Sequence, residues 1–185
     1  MCGELVYTGS LRTNVAAIVN AIPVRDDLAR VSSELFAQSA DVHLVLGNIS
    51  AEEYAVETAD GKEKTRKAAM ARLARVVCAD TEMLSDQEIV RIAQYVHDKQ
   101  VEQIADGLIQ VRNRLAKNGV RNLAAVVTGL GRNFLARKAA LKAGFTEIID
   151  FGELVGSDIA RVSTAFAVAL MGASYLEGRF VRWMQ

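Results

Sequence analysis

Cysteine is almost missing from this chain: Cys2 and Cys78 are the only two in 185 residues. That excludes a disulfide framework and any cysteine-based zinc site. Cys78 closes the apolar run Val76-Val77-Cys78 and reads as a buried, inert thiol. Both facts fit a reducing compartment, so a cytoplasmic location is expected. Histidine is equally scarce, with only His43 and His97, and no dedicated metal site is expected. There is one proline, Pro23, no low-complexity linker and no internal repeat. Punctuation therefore marks no domain boundary, and a single lobe over residues 1–185 is expected. Neither sign of charge predominates, since Lys+Arg and Asp+Glu both number 22. With no local basic block either, the electrostatic footprint of a nucleic-acid binder is missing. The longest apolar stretch, Ala165 to Ala173, is too short to span a bilayer. Met1-Cys2-Gly3-Glu4 lacks the basic and apolar regions of a signal peptide. A soluble chain without a membrane partner is the expectation.

What is present is a core. Hydrophobic residues make up 51% and charged residues 24%, a balance that folds. Residues 1–50 read as β-rich or irregular, with strands at Glu4–Thr8, Ile22–Val24 and Arg30–Phe36. Ser39 reads as the N-cap of a short helix, Ala40 to Leu46, stopped by Gly47. Residues 62–118 read as helical. Lys64 to Val77 places Ala68, Ala69, Leu73 and Val76 near one face. Ser85-Asp86-Gln87-Glu88 is a capping box. It opens a long helix with Ile89, Ile92, Val96, Ile104, Leu108, Val111 and Leu115 at amphipathic spacing, closed by Gly119. Gly107 inside that helix costs about 1 kcal/mol relative to alanine and marks close packing. His97 reads as a surface residue of the same helix. Residues 122–178 alternate: a strand at Leu123–Val127 buried on both faces, a helix from Phe134 to Ala143, a strand at Thr146–Asp150, and a final helix capped by Ser157 or Asp158 and running through Tyr175. Strand, helix, strand implies a parallel pair with a right-handed crossover.

Three segments carry chemistry. In Ala125-Val126-Val127-Thr128-Gly129-Leu130-Gly131-Arg132-Asn133 a strand ends, two glycines follow and a helix begins. Glycine allows positive φ and close approach to a ligand, and a helix start offers N–H groups to an anion. Thr128, Gly129, Gly131 and Arg132 are the candidate nucleotide or phosphate contacts. A tight turn without a ligand is the plain alternative. A Rossmann site is a second, with Asp150 at the ribose position, but Phe134 stands where the third small residue belongs. The second segment, Tyr7-Thr8-Gly9-Ser10-Leu11-Arg12-Thr13, gathers hydroxyls, a glycine and an arginine, which suits an anion. A solvated turn is its alternative. In the third, Asp41 and His43 stand two apart and so do not share a helix face. Asp41 falls in a first turn, where a carboxylate is favoured, and His43 reads as a buried, satisfied histidine.

Several long segments resemble the hydantoinase A/oxoprolinase-like family linked to tetrahydromethanopterin C1 transfer. They are Gly3 to Thr13, Arg30 to Phe36, Ser39 to Asn48, Arg72 to Asp80 and Thr128 to Gly131. The resemblance implies an α/β fold of the actin-like ATPase (ribonuclease H-like) type, of which this chain is the C-terminal lobe. In that fold a strand–Gly–helix turn holds the adenosine part of a nucleotide, the position matched by Thr128, Gly129 and Gly131. The family includes a synthase of methanofuran biosynthesis, which joins an aminomethyl-furan diphosphate to the phenol of γ-glutamyl-tyramine. It forms an ether and releases pyrophosphate. The resemblance then implies a small-molecule substrate, and Mg²⁺ with a nucleotide or diphosphate in the complete assembly. Asp41 and His43 become candidate catalytic residues, and Thr8, Gly9, Arg12 and Thr13 candidate substrate or diphosphate contacts. An ATP-dependent small-molecule kinase or hydrolase of the same fold, and a non-catalytic partner-binding lobe, are the other readings. The paired Asp-x-Gly phosphate loops of such folds have no counterpart, since Asp150-Phe151-Gly152 and Asp80-Thr81-Glu82 do not fit. The expectation is a fold incomplete at its N-terminus and completed by a homodimer partner or a separate N-terminal lobe.

Overall fold

The computed structural model describes residues 3–179; Cys2 lies outside them. The chain divides into two compact units, Met1–Arg121 and Asn122–Gln185.

The first unit opens irregularly. Residues 4–8 form no strand, and the strand expected over Arg30–Phe36 ends at Arg30. Both segments alternate in hydrophobicity without finding a partner. Val6 instead lies against Gly107, and Ser32 donates its N–H to the Val76 carbonyl. The hairpin that does form pairs β1 (Ala21–Val24) with β2 (Asp27–Arg30), antiparallel, Val24 facing Asp27. Its two-residue turn places Arg25 at φ 55°, a conformation costly for any residue that carries a Cβ. The Arg25 side chain offsets this by forking onto Glu88 at 2.6 Å and the Met83 carbonyl at 2.9 Å.

Three helices build the core of this unit. α1 (Ser39–Val45) is buried at all seven positions, as a helix packed on several sides must be. Gln38, not Ser39, is its N-cap, and Asp41 at N3 completes a capping box. α2 (Arg66–Val76) is capped by Thr65. α3 (Asp86–Lys117) is capped by Ser85 and Glu88, as the capping box requires. It lays Ile89, Ile92, Ala93, Val96, Val101 and Ala105 into the core. Gly107 is a close-packing point. A Cβ there would stand 2.5 Å from Val6 Cγ2 and 3.1 Å from the Gly3 carbonyl oxygen.

Two further expectations for this unit are overturned. Cys78 is exposed. α2 stops at Val76, and Cys78 takes φ 57° just beyond it, which turns the chain away from the helix's apolar face. His97 is buried, because it falls one residue after Val96 on the core-facing stripe of α3.

The second unit pairs β3 (Ala125–Val127) with β4 (Ile148–Asp150) in parallel, Val127 facing Asp150. β3 is not buried on both faces: Val126 is 60% exposed, since only one neighbouring strand and one layer cover it. Between the strands, a π-helical turn at Arg132–Ala136 leads into α4 (Arg137–Lys142), so the helix begins two residues before Phe134. After β4 the chain forms α5 (Phe151–Val155), α6 (Ser157–Arg161) and α7 (Ser163–Glu177). The single helix expected through Tyr175 is thus broken at Val162. No residue of α7 is buried.

Candidate functional site

In the first unit the loop after Tyr7 is stitched onto the start of α1. Ser39 N–H donates to the Thr13 carbonyl at 2.8 Å and Ala40 N–H to the Leu11 carbonyl at 3.2 Å. The Ser39 hydroxyl accepts from Thr13 N–H at 3.2 Å. These bonds satisfy helix-start donors that would otherwise be left unpaired in the core. Within the loop, Gly9 N–H donates to Thr13 Oγ1 at 2.8 Å. Arg12 is exposed and makes no hydrogen bond or ion pair among the described residues.

Behind the loop lie two buried polar systems. The first centres on Asp41. Its Oδ1 accepts from Arg72 Nε at 2.8 Å, lies 2.7 Å from Arg72 Nη2, and accepts from the Tyr54 hydroxyl at 3.0 Å. Its Oδ2 accepts from Gln38 N–H at 3.0 Å. Asp41 and Arg72 are both fully buried, where a charge persists only if paired and hydrogen-bonded. Arg72 also reaches Asp60 at 3.1 Å, which is shared with Arg75 at 3.0 Å. Burial raises the Asp41 carboxyl above its ordinary value, against the pull of Arg72, the Gln38 amide and Tyr54. Burial works against the Arg72 charge, but its bonds to Asp41 outweigh that and raise its pKa. Burial, then the Asp41 charge, raises the Tyr54 phenol.

The second system joins His43 to the loop. His43 Nε2 stands 3.1 Å from Gln100 Oε1, and His43 Nδ1 stands 3.3 Å from Asn48 Nδ2. Gln100 Nε2 donates to Thr8 Oγ1 at 2.8 Å and to the Gly9 carbonyl at 2.9 Å. His97 meets the His43 ring edge-on, centroids 5.6 Å apart.

The structure therefore brings Thr8, Gly9, Thr13, Asp41 and His43 around one helix start, with Arg12 on its outer side. Arg72, Tyr54, Gln38 and Gln100 were missed by sequence reasoning. The signal for two of them was available. Arg72 lies three after Ala69 and four before Val76, and Gln100 lies four after Val96, so each is a polar residue at a core position of an apolar stripe.

In the second unit, Gly129 takes φ 83°, as a strand-to-helix turn requires. Its N–H donates to the Ala160 carbonyl at 3.0 Å, and the Thr128 hydroxyl donates to the same oxygen at 3.1 Å. Gly131 is the N-cap of the π-helical turn. Arg132 folds back over the turn. It donates to the Ser157 hydroxyl at 3.0 Å and pairs with Asp150 at 3.2 Å. Asp150 is buried and also accepts from Gly152 N–H at 2.7 Å. It is committed to closing the turn, which removes the Rossmann alternative. Thr128 borders an apolar groove of about 480 Å³ walled by Val126, Phe151, Phe166 and Leu170. Such a lining suits a flat aromatic group better than a phosphate.

Among the described residues no three His, Cys, Asp or Glu are grouped to hold a metal ion, and no helix is long and apolar enough to cross a membrane. The Asp41 oxygens are taken by Arg72, Tyr54 and Gln38, so this carboxylate is not free to hold a cation.

A family model described as hydantoinase/oxoprolinase matches residues 1–170. Two proteins named (4-{4-[2-(gamma-L-glutamylamino)ethyl]phenoxymethyl}furan-2-yl)methanamine synthase are similar to the chain. The one from Methanocaldococcus jannaschii is 38% identical over 169 residues, which is 91% of this chain and 48% of that protein. The one from Methanococcus vannielii is 32% identical over 184 residues, 98% of this chain and 81% of that protein. The chain thus spans about half the length of the first relative.

Proposed function

Because the chain belongs to the hydantoinase/oxoprolinase family, we propose that it forms one lobe of an actin-like fold and carries the substrate-binding loop of an ether-forming synthase in methanofuran biosynthesis. The observation that supports this reading is the Thr8–Thr13 loop: hydroxyl-bearing, braced from behind by Gln100 and α1, with an exposed Arg12 guanidinium that has no partner among the described residues. A diphosphate is the anion such a loop suits. Thr8, Gly9, Arg12 and Thr13 hold the diphosphate of an aminomethyl-furan diphosphate. The phenol oxygen of γ-glutamyl-tyramine attacks the furan methylene carbon, the carbon–oxygen bond to diphosphate breaks, and the phenolic proton passes to the departing pyrophosphate. Holding the leaving group by aimed donors lowers the barrier to that cleavage. Asp41 and His43, both fully buried, act as positioning residues that set the loop from behind.

The glycine turn at Thr128–Arg132 is the proposed nucleotide-side element of the same fold. Here Arg132 braces the turn and the apolar groove beside Thr128 takes an aromatic base. The parallel sheet of two strands is small for such a lobe, and we propose that a second copy or a separate lobe completes it. The bare apolar face of α7 favours that second reading, with Met171 72% and Tyr175 86% exposed.

The test is release of pyrophosphate from the furan diphosphate and γ-glutamyl-tyramine, with and without Arg12→Gln. Turnover by the wild-type chain in its completed assembly, and at least a tenfold loss of kcat/KM in the variant assembly, about 1.4 kcal/mol, is the expected outcome. Equal activity in the two would remove the loop from the site, and ADP formation from ATP would favour the kinase or hydrolase reading.

A further inference from the structure

We infer that Gln100 is a positioning residue that fixes the polarity of the Thr8–Gly9 turn, so that the Thr8 hydroxyl presents its hydrogen outward as a donor to the anionic group of the substrate. Atoms whose hydrogen-bonding roles cannot change fix this polarity. The Gly9 carbonyl oxygen is only an acceptor. The Gln100 side-chain atom 2.9 Å from it is therefore the amide nitrogen. That nitrogen spends its second hydrogen on Thr8 Oγ1, 2.8 Å away. Thr8 Oγ1 accepts at that contact, so its own hydrogen points elsewhere. Thr8 is half-buried, and among the described residues its hydroxyl donates to no acceptor, which leaves its hydrogen available to a ligand at the loop.

The other end of Gln100 carries the same polarity inward. Its Oε1 is only an acceptor, so His43 Nε2, at 3.1 Å, carries a proton. His43 Nδ1 then accepts from Asn48 Nδ2 at 3.3 Å. Asn48, His43, Gln100 and Thr8 form one directional chain in which every member donates toward the loop. Gln100 and His43 are both fully buried, where a reversed amide would set like against like at the Gly9 carbonyl and leave unmade bonds. Neither glutamate, leucine nor methionine can replace Gln100, because only an amide accepts at one end and donates twice at the other.

This inference rests on the proposed diphosphate site for its ligand, but its geometry can be tested without one. Nitrogen-15 spectra of the imidazoles in the full chain report which ring nitrogen of His43 holds the proton. The Nε2–H tautomer is expected, and Nδ1–H in wild type would overturn the inference whatever the ligand is. Gln100→Leu is expected to shift that tautomer balance and to speed amide exchange at Gly9 and Thr13 by at least tenfold. Exchange at the α2 amides should stay as in wild type. Unchanged exchange and unchanged His43 nitrogen shifts in a folded Gln100→Leu chain would refute it. Should Gln100→Leu not fold, the loop variants decide. With inorganic pyrophosphate as probe, Thr8→Val is expected to bind about tenfold more weakly, and Thr8→Ser to bind like wild type. Equal binding by all three would overturn the outward donor. Absence of pyrophosphate binding by wild type itself would sink the diphosphate reading, while the tautomer and exchange data still judge Gln100.

Discussion

Replacing Arg72 with methionine removes the whole counter-charge of Asp41 and keeps most of the buried volume. Arg72 supplies Asp41 Oδ1 with two nitrogens at 2.7–2.8 Å. What remains is the Gln38 amide and the Tyr54 hydroxyl. Breaking a buried pair from one side costs about 3–5 kcal/mol, a large part of the roughly 5–15 kcal/mol that holds a domain folded. Arg72→Met should therefore lower the denaturant midpoint sharply. The loss must also depend on pH. Burial already raises the Asp41 carboxyl, and without the arginine it rises further. Between its ordinary value and that raised value, the folded state holds a proton that the unfolded state has released. Stability of the variant therefore falls as pH rises through this window, by up to about 1.4 kcal/mol per pH unit. Below the ordinary carboxylate value the carboxyl is neutral in both states and the damage is least. Asp60 is held below its ordinary value: burial opposes this, but the Lys62 amide, Arg75 and Arg72 outweigh it. It adds a slope of opposite sign, which Arg72→Met weakens by removing the Arg72 share while the Lys62 amide and Arg75 keep theirs. Adding Asp41→Asn should recover stability at neutral pH, since an amide needs no counter-charge. Chemical denaturation of the wild type and the two variants from acid to neutral pH measures all of this. A loss under about 1 kcal/mol that is flat with pH would refute the account of a charged, fully desolvated pair.

Gly107→Ala should destabilise despite about 1 kcal/mol of gained helix propensity. The new methyl would stand 2.5 Å from Val6 Cγ2 and 3.1 Å from a backbone oxygen, overpacking that costs about 1–3 kcal/mol. Val6→Ala in the same chain should restore stability, and a Gly107→Ala chain that melts higher than wild type would contradict this packing. Gly129→Ala should cost about 1–2 kcal/mol because of its positive φ, whereas Gly131→Ala, at φ −81°, should be near neutral; equal melting behaviour of the two would be the contrary result. Cys78 should react stoichiometrically with a thiol reagent in the native chain, being exposed, and protection until unfolding would restore the buried-thiol reading.

Where the sequence was legible, the reason was local. Ser85 and Glu88 define a helix start through their own side chains, and α3 begins where they say. Gly129 and Gly144 each occupy a left-handed position that few other residues tolerate. The strands at Glu4–Thr8 and Arg30–Phe36 were misread for the opposite reason. Alternation states which face is apolar, but not whether a partner strand exists. His97 was misjudged and Gln100 passed over because polar identity was weighed above position on the helix. Of the candidate site, the loop and α1 could be read from residue type. The chain of bonds joining them could not, because Gln100 lies 91 residues from Gly9.

The π-helical turn at Arg132–Ala136 has a consequence for chain length. Such a turn carries one residue more than an α-helical one, and that surplus advances every later side chain by about 100° around the helix axis, one residue's share of a 3.6-residue turn. The inward phase of Ala139, Ala140 and Ala143 is therefore set by that surplus residue. Deleting one residue between Arg132 and Ala136 would leave a more regular helix whose alanine stripe points the wrong way. In a set of natural variants, gaps should fall in the loops flanking this segment and be rare within it, and a designer who regularises the turn must also rotate the stripe.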